Sequence, residues 1–331
     1  MNHLDLVERD FFGIYFADKE QRVFLDPLKA AMRQVPDKHQ SHWYFHFGIK
    51  YYVPDPELLS HDLSKYLYCL QLQQDIKEKR VVLDPTSDVA YKLVSLVLQA
   101  ELGDFASTEH TAGYTHQYMQ FLFENENEIP GNADKMASDF HKQYHGLTPT
   151  QAEKEFIVLS MGLPRYGKHL FFAEEFMEDR PIELGAGYDG ITVYYNKKLA
   201  TNYPWKDINK LIYHGHRFKI RYHPADDSER WDIKSHKFQC PETKWAKAIW
   251  KEFVDQHTFF RLAIPGPPPL PIVLPQLDRD SKIRFSGRTM KQLLTHPQEP
   301  ESTSIVRTYS KRHSPGKSTR YFKLEYTFYK I

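Results

Sequence analysis

The spacing of apolar residues changes character twice along the chain. In residues 1–53 it runs at two. Phe12, Ile14 and Phe16 alternate with Gly13 and Tyr15, and Trp43, Phe45, Phe47 and Ile49 make a second alternating run. Both predict strands, with a short helical turn over Pro27 to Gln34 between them. So small a piece buries little alone and needs another surface to pack on.

From 54 to 164 the spacing becomes helical. Leu59, Leu63, Tyr66, Leu67 and Leu70 fall on one helix face, with Pro56 in the opening turn. Val89, Leu93, Leu96, Val97 and Ala100 repeat those offsets, and Gly103 supplies a stop. Met136, Phe140 and Tyr144 mark a third face. Thr148 before Pro149, with Glu153 further on, resembles a fourth helix start. Four helices with modest connections predict a small bundle.

Period two returns in residues 165–262. Strands are predicted over Leu170–Ala173, Ile182–Gly187, Ile191–Tyr195, Ile208–Tyr213, Phe218–Tyr222 and Trp231–Phe238, with Asp189-Gly190 as a hairpin turn. Residues 241–262 read as an amphipathic helix, with Pro241 in its first turn and Trp245, Ile249 and Phe253 as its stripe. Six or seven strands closed by one helix outline a PH/PTB-like sandwich. Residues 263–277 are a proline-rich, extended linker. Residues 278–317 are polar, basic and expected to be partly ordered. Within the unassigned tail 318–331, residues 321–331 alternate like a lone strand with no evident partner.

The length of 331 residues allows two or three domains. Apolar residues at 41% and aromatics at 15% are too abundant for a disordered tail. A mean hydropathy of −0.61 and the lack of a long apolar run argue against a membrane span. The net charge of +1 excludes nucleic-acid binding by bulk charge. Two cysteines make no disulfide framework, and the start has no signal-peptide pattern, so the chain reads as reduced and intracellular. The charge is uneven, however. Residues 54–164 carry 8 basic and 17 acidic groups, and residues 263–317 carry 9 and 4. One surface repels anionic lipid while another can approach it.

Several motifs then resemble a known family in order. Asp10-Phe11-Phe12-Gly13-Ile14 and Phe24-Leu25-Asp26-Pro27-Leu28-Lys29 resemble the middle of a FERM domain's first lobe. Tyr66-Leu67, Leu70-Gln71-Leu72, Gln99-Ala100-Glu101-Leu102-Gly103-Asp104-Phe105 and Leu147-Thr148-Pro149-Thr150-Gln151-Ala152-Glu153 resemble its second lobe. His257-Thr258-Phe259-Phe260-Arg261-Leu262 resembles the end of the third, and Arg284-Phe285-Ser286-Gly287-Arg288-Thr289 the FERM-adjacent segment of band 4.1-type proteins. The tail after Arg288 and the Asn196-Lys197-Lys198 turn are similar to the Yurt-like branch. The resemblance implies an α+β, three-lobed fold. Its parts are a ubiquitin-like lobe, partial here over 1–53, an acyl-CoA-binding-protein-like helical lobe and a PH/PTB-like lobe. Two more strands and most of a helix of a full first lobe would fall before Met1, which fits a fragment, an incomplete gene product or a divergent isoform. The implied function is a non-catalytic adaptor joining cytoplasmic tails of transmembrane proteins and phosphoinositide-bearing membrane to the actin/spectrin cortex. Cytoplasm, plasma-membrane periphery, cytoskeleton and cell junctions are the implied locations. The alternative is the regulatory front of a larger signalling enzyme, a tyrosine phosphatase or a Rho exchange factor.

Catalytic and cofactor motifs lack their context. Gly185-x-Gly187-x-x-Gly190 is followed by β-branched and aromatic residues, not by the helix that a dinucleotide needs. Six residues after Cys69 stands Asp75 and six after Cys240 stands Ala246, so neither has the arginine of a phosphatase loop. His42 with His46, and His214 with His216, lack further metal ligands. No metal or cofactor is expected. Pro265 to Pro271 has PxxP spacing without the flanking arginine, and reads as linker.

Binding residues remain. A PTB-like groove between the strand 207–213 and the last helix would accept an extended peptide as an added strand, bordered by Ile208, Lys210, Ile212, Lys244 and Lys251. Core burial of alternate residues explains part of the same pattern. Lys197, Lys198, Arg217, Lys219 and Arg221 are the membrane candidates, the last three at period two on one strand face. A solvated charged face has the same appearance. Ser286, between Arg284 and Arg288, is a candidate phosphosite.

Overall fold

The pattern of apolar spacing becomes two packed units in the computed structural model, which describes residues 6–18, 21–35, 42–224, 233–262, 285, 287–296, 308–309 and 325–329. One unit comprises Met1–Arg9, Val53–Tyr166 and Glu299–Leu324; the other comprises Asp10–Tyr52, Gly167–Gln298 and Glu325–Ile331. Among the described residues no helix is long and apolar enough to cross a membrane.

The first unit holds α1 (Asp62–Lys77), α2 (Asp88–Leu102), α3 (Ala133–Gln143) and α4 (Pro149–Met161). Helix α2 starts where Ser87 Oγ accepts from the Ala90 N–H, and ends at Gly103, whose φ of +84° favours glycine. Helix α4 has Pro149 in its first turn and a reciprocal cap between Thr148 and Gln151, not Glu153. The predicted inner face of α1 is displaced. Leu59 lies outside the helix, Pro56 opens a separate one-turn helix, and the buried residues are Ser64, Tyr68, Cys69, Leu72, Asp75 and Ile76. The reason is polar. Tyr68 Oη accepts from the Val53 N–H at 2.6 Å, and Ser64 donates to Glu8, which also accepts from Ser60 and His61. These bonds rotate α1, leaving Leu63, Tyr66, Leu67 and Leu70 half-buried. In α3 the buried face is Ala133, Ala137 and His141, one residue round from Met136 and Phe140. Small side chains admit α2 closely: Ser95 Oγ donates to Ala137 O at 2.7 Å.

The second unit joins β1 (Phe12–Asp18), β2 (Gln21–Phe24) and β3 (His42–Ile49) to a larger sheet. That sheet contains β4 (His169–Glu175), β5 (Arg180–Gly187), β6 (Gly190–Tyr195), β7 (Lys198–Pro204), β8 (Ile208–His214), β9 (Arg217–Tyr222) and β10 (Lys234–Gln239), in antiparallel order β7-β6-β5-β4-β10-β9-β8. Strand β7 has no apolar alternation because its first five residues are exposed, so the sequence pattern misses it. Asn196 and Lys197, at φ of 47° and 62°, turn the chain into it. Trp231, the expected start of the last strand, lies outside the described residues. Helix α5 (Thr243–Arg261) begins after Pro241 and Glu242, two residues later than expected. Its Trp245, Ile249 and Phe253 close a core with Phe171, Leu184, Ile191, Trp205, Phe218, Ile220 and Phe238.

Strands β2-β1-β3 form an antiparallel sheet with both faces in use. Phe16 packs with Val35, Trp43 and Phe45, while Tyr15 on the opposite face meets Phe24 and His46. Strict alternation therefore fails: Ile14 is 41% exposed and Tyr15 is buried. The surface that this small sheet requires is α5 and β4. Phe11 meets Phe259 edge-on, and Tyr51 stacks on Phe259 at 3.9 Å. Lys50 Nζ pairs with Asp255 Oδ2 at 2.7 Å, and Lys50 O receives Gln256 Nε2 at 2.8 Å. Within the region expected to be partly ordered, α6 (Met290–Thr295) has a reciprocal Thr289–Gln292 cap, and Arg288 pairs with Asp10 at 2.8 Å. The linker 263–277, residues 278–284 of the following segment and Ser286 lie outside the described residues. The tail strand β11 (Glu325–Tyr329) does have a partner, pairing antiparallel with β3.

Candidate membrane and peptide-binding faces

Cross-strand register assembles a basic face that the linear sequence scatters. Strands β8, β9 and β10 place Lys210 opposite Arg221, Ile212 opposite Lys219, and Lys219 opposite Lys237. Arg217 lies in the next row, opposite His214. Because Phe218, Ile220 and Phe238 face the core, Lys210, Arg217, Lys219, Arg221 and Lys237 share the other side. All five are exposed or half-buried. Among the described residues none of them has a carboxylate ion partner. Arg217 and Lys237 instead lie over the Phe176 ring, at 4.7 and 5.7 Å from its centroid. Lys237 lies within the predicted strand 231–238, and only its register against β9 places it on this face.

The five groove residues do not come together on one wall. A bulge at Asn209 shifts the register between Ile208 and Lys210. Ile208 therefore packs on the core, while Lys210 and Ile212 join the basic face. Lys244 pairs with Asp18 at 3.1 Å and with Glu242 at 3.6 Å. Lys251 sits with Asp255, Lys50 and Asp26, and burial pulls its ammonium below the ordinary lysine value. Lys244 thus faces Asp18 of β1, and Lys251 faces Asp255, Asp26 and Lys50. The α5 residue that does meet β8 is Trp250. Its indole Nε1 donates to Leu211 O at 3.1 Å, and its ring lies 5.1 Å from that of Tyr213. It caps an edge-strand carbonyl that an added peptide strand would use. Trp250 follows the Ile249 of the apolar stripe directly, so helical periodicity gave it no inward role. Lys197 and Lys198 sit at the tip of the β6–β7 hairpin, with β5, β4 and β10 between β6 and β9.

The remaining chemistry is structural. Gly185, Gly187 and Gly190 belong to the β5–β6 strand–turn–strand. Cys69 Sγ donates to Glu153 O at 3.3 Å, and burial pushes the Cys240 thiol up to about 12, far from a reactive thiolate. A hydroxyl–imidazole–carboxylate line runs from Tyr203 Oη to His236 Nδ1 at 2.6 Å and from His236 Nε2 to Glu175 Oε1 at 2.7 Å, with Arg180 pairing the same carboxylate. Burial first, then Tyr222, holds the Tyr203 phenol well above its ordinary value, the opposite of an activated nucleophile. The line ties β7 and β10 to the end of β4. Among the described residues no group of three His, Cys, Asp or Glu side chains gathers as a metal site.

The FERM central domain family matches residues 54–171, and the FERM C-terminal PH-like domain family matches residues 177–268. The chain is 36% identical over 292 residues to human Band 4.1-like protein 2, an alignment covering 88% of this chain and 27% of that protein. Bovine Protein 4.1 is 33% identical over 320 residues, 94% of this chain and 48% of the relative. Chicken FERM, ARHGEF and pleckstrin domain-containing protein 1 is 32% identical over 324 residues, 96% of this chain and 28% of the relative. The chain thus spans between about a quarter and a half of these relatives. In fold it is similar to the FERM and C-terminal domain complex of Drosophila Merlin, with a TM-score of 0.65 at 18% identity over 78% of this chain and 86% of that one. A MyTH4-FERM domain of Dictyostelium myosin VII gives 0.56 at 12% identity, over 74% and 52%.

Proposed function

Since the chain belongs to the FERM-domain family and carries its central and C-terminal PH-like domains, we propose that it is a non-catalytic adaptor of the cell cortex. It holds cytoplasmic tails of transmembrane proteins and phosphoinositide-bearing membrane, and joins them to the actin/spectrin network at the plasma-membrane periphery and cell junctions. The observation that carries the membrane part is the Lys210–Arg217–Lys219–Arg221–Lys237 face. Each basic group near an anionic leaflet contributes about 1 kcal/mol, so five on one side attract together where one would not. The acidic 54–164 segment has no such attraction, which favours approach by the β8–β9–β10 side. Lys197 and Lys198 add a second, separate contact point at their hairpin tip. For tails, the β8 edge beside α5 remains the strand-addition site of this reading, with Trp250 as the group a peptide displaces.

Sedimentation with vesicles tests the membrane part. The full chain should bind phosphoinositide-containing vesicles, more weakly as salt rises. A Lys219→Glu/Lys237→Glu chain should lose binding by about tenfold or more. Binding that ignores both salt and charge reversal overturns the reading. A second reading, the regulatory front of a Rho exchange factor, is supported by the similarity to the chicken ARHGEF-containing protein. An endogenous product far above 39.2 kDa with exchange activity would favour it.

A further inference from the structure

The basic side of β8, β9 and β10 ends in an apolar point. Glu175 of β4 lies opposite Phe238 of β10, and one step further the Phe176 N–H donates to Lys237 O at 3.2 Å. Phe176 therefore extends the row Ile212–Lys219–Lys237 by one strand and shares its side of the sheet. Its ring is half-buried, with Arg217 Cζ 4.7 Å and Lys237 Nζ 5.7 Å from the centroid. The next residue, Met177, is 85% exposed, more than any other large apolar side chain among the described residues. The turn that carries it is closed by its own backbone. The N–H groups of Glu178 and Asp179 donate to Glu175 O at 3.2 and 2.9 Å, and Asp179, at φ of 47°, returns the chain to β5.

A lone exposed methionine is ordinary on a protein surface. Charge sets this one apart. The two cations beside it rest on an aromatic ring and have no carboxylate ion partner among the described residues. Two of the acids around the turn are occupied, since Arg180 pairs with Glu175 and, at 3.4 Å, with Glu178. We infer that Phe176–Met177 is a membrane wedge: the β4–β5 hairpin tip enters the acyl-chain boundary of an anionic bilayer while Arg217, Lys219 and Lys237 hold lipid phosphates around it. This rests on the membrane reading above and names the part of the chain that passes below the headgroups. Cations at phosphate depth set the Phe176 ring at the headgroup boundary, where aromatic rings partition well. Met177, at the tip, then reaches the acyl chains, and its unbranched thioether adapts to their disorder. A bilayer fits this point and a soluble anion does not: a free inositol phosphate offers charge to the cations and nothing to Met177.

Both native cysteines are buried, so Met177→Cys in the full chain accepts a single environment-sensitive thiol label. The labelled chain is mixed with vesicles of phosphatidylcholine, phosphatidylserine and phosphatidylinositol bisphosphate. Its emission should shift to the blue, nitroxide carried on the lipid acyl chains should quench it, and quenching by aqueous iodide should fall several-fold. The same label at Val158→Cys, on α4 of the acidic unit, should stay aqueous. Without any label, Met177→Ser should weaken vesicle binding about three- to tenfold and leave the salt slope unchanged, because an apolar loss is not screened. Met177→Leu should restore the affinity, and binding of soluble inositol trisphosphate should be equal in all three chains. A native chain that fails to sediment with these vesicles brings down the membrane reading and the wedge together. A chain that sediments with its 177 label open to iodide, an equal shift at 158, or native affinity in Met177→Ser overturns the wedge and leaves the membrane reading standing.

Discussion

Replacing Asp255 by alanine should destabilise the second unit far more than a surface charge would. Lys50 and Asp255 meet at 2.7 Å with side chains only 12% and 7% exposed. Burial alone would lower the Lys50 pKa, but Asp255, helped by Tyr51 and Glu252, more than reverses this and holds Lys50 charged well above its ordinary value. Without Asp255 an ammonium stays in the packing between β3 and α5, a change that costs about 3–5 kcal/mol. In a unit of this size each kcal/mol lowers Tm by roughly 2–4 °C, so a fall of about 6–20 °C is expected. A Lys50→Met/Asp255→Leu pair removes both charges and should return within about 1 kcal/mol of the native chain. The assay is urea unfolding read by tryptophan fluorescence. Trp43, Trp205, Trp245 and Trp250, four of the five tryptophans, belong to this unit. A single variant costing under about 1 kcal/mol, or a pair as unstable as the single, would refute the argument.

Three further outcomes follow from local features. Burial pushes the His141 imidazole down to about 4 from 6.5, so the folded unit refuses a proton that the unfolded chain accepts. Stability is whole above 6.5 and lost as pH falls towards 4, by about 3 kcal/mol in all; circular-dichroism melts should show a shallower acid slope in His141→Gln, and equal slopes would contradict it. Thr148→Ala removes half of the reciprocal cap on α4 and should cost about 1 kcal/mol by the same melts, whereas no change would mean the end is held by packing alone. Trp250→Phe frees the Leu211 carbonyl on the β8 edge; peptides that add there as a strand should bind more tightly by fluorescence anisotropy, and unchanged affinity would place tail binding elsewhere.

Elements with a single buried side were legible in the sequence. The Trp245–Ile249–Phe253 stripe of α5 is the plainest case, since one face meets one core. Periodicity failed where polar contacts or two-sided burial decided the orientation. Glu8 and Val53 hold Ser64 and Tyr68 of α1 inward, and neither lies in the helix whose pattern was read. Ile14 and Tyr15 exchange roles because both faces of β1 are covered. The basic face was half visible, because Arg217, Lys219 and Arg221 share one strand. Lys210 and Lys237 join them only through register, and the Asn209 bulge removes Ile208 from the same set.

The division of the second unit in sequence bears on synthesis. Phe11 and Tyr51 meet Phe259 of α5 and Phe24 meets His169 of β4, yet these aromatics leave the ribosome long before residues 167–262 exist. At about 5–20 residues per second the strands 12–49 wait on the order of tens of seconds for the partners that cover them. The four-helix segment, contiguous over Val53–Tyr166, can meanwhile fold by itself between the two halves. Nascent chains of this protein therefore display an aromatic-rich surface for most of their elongation, the interval in which holding chaperones and degradation machinery compete for them.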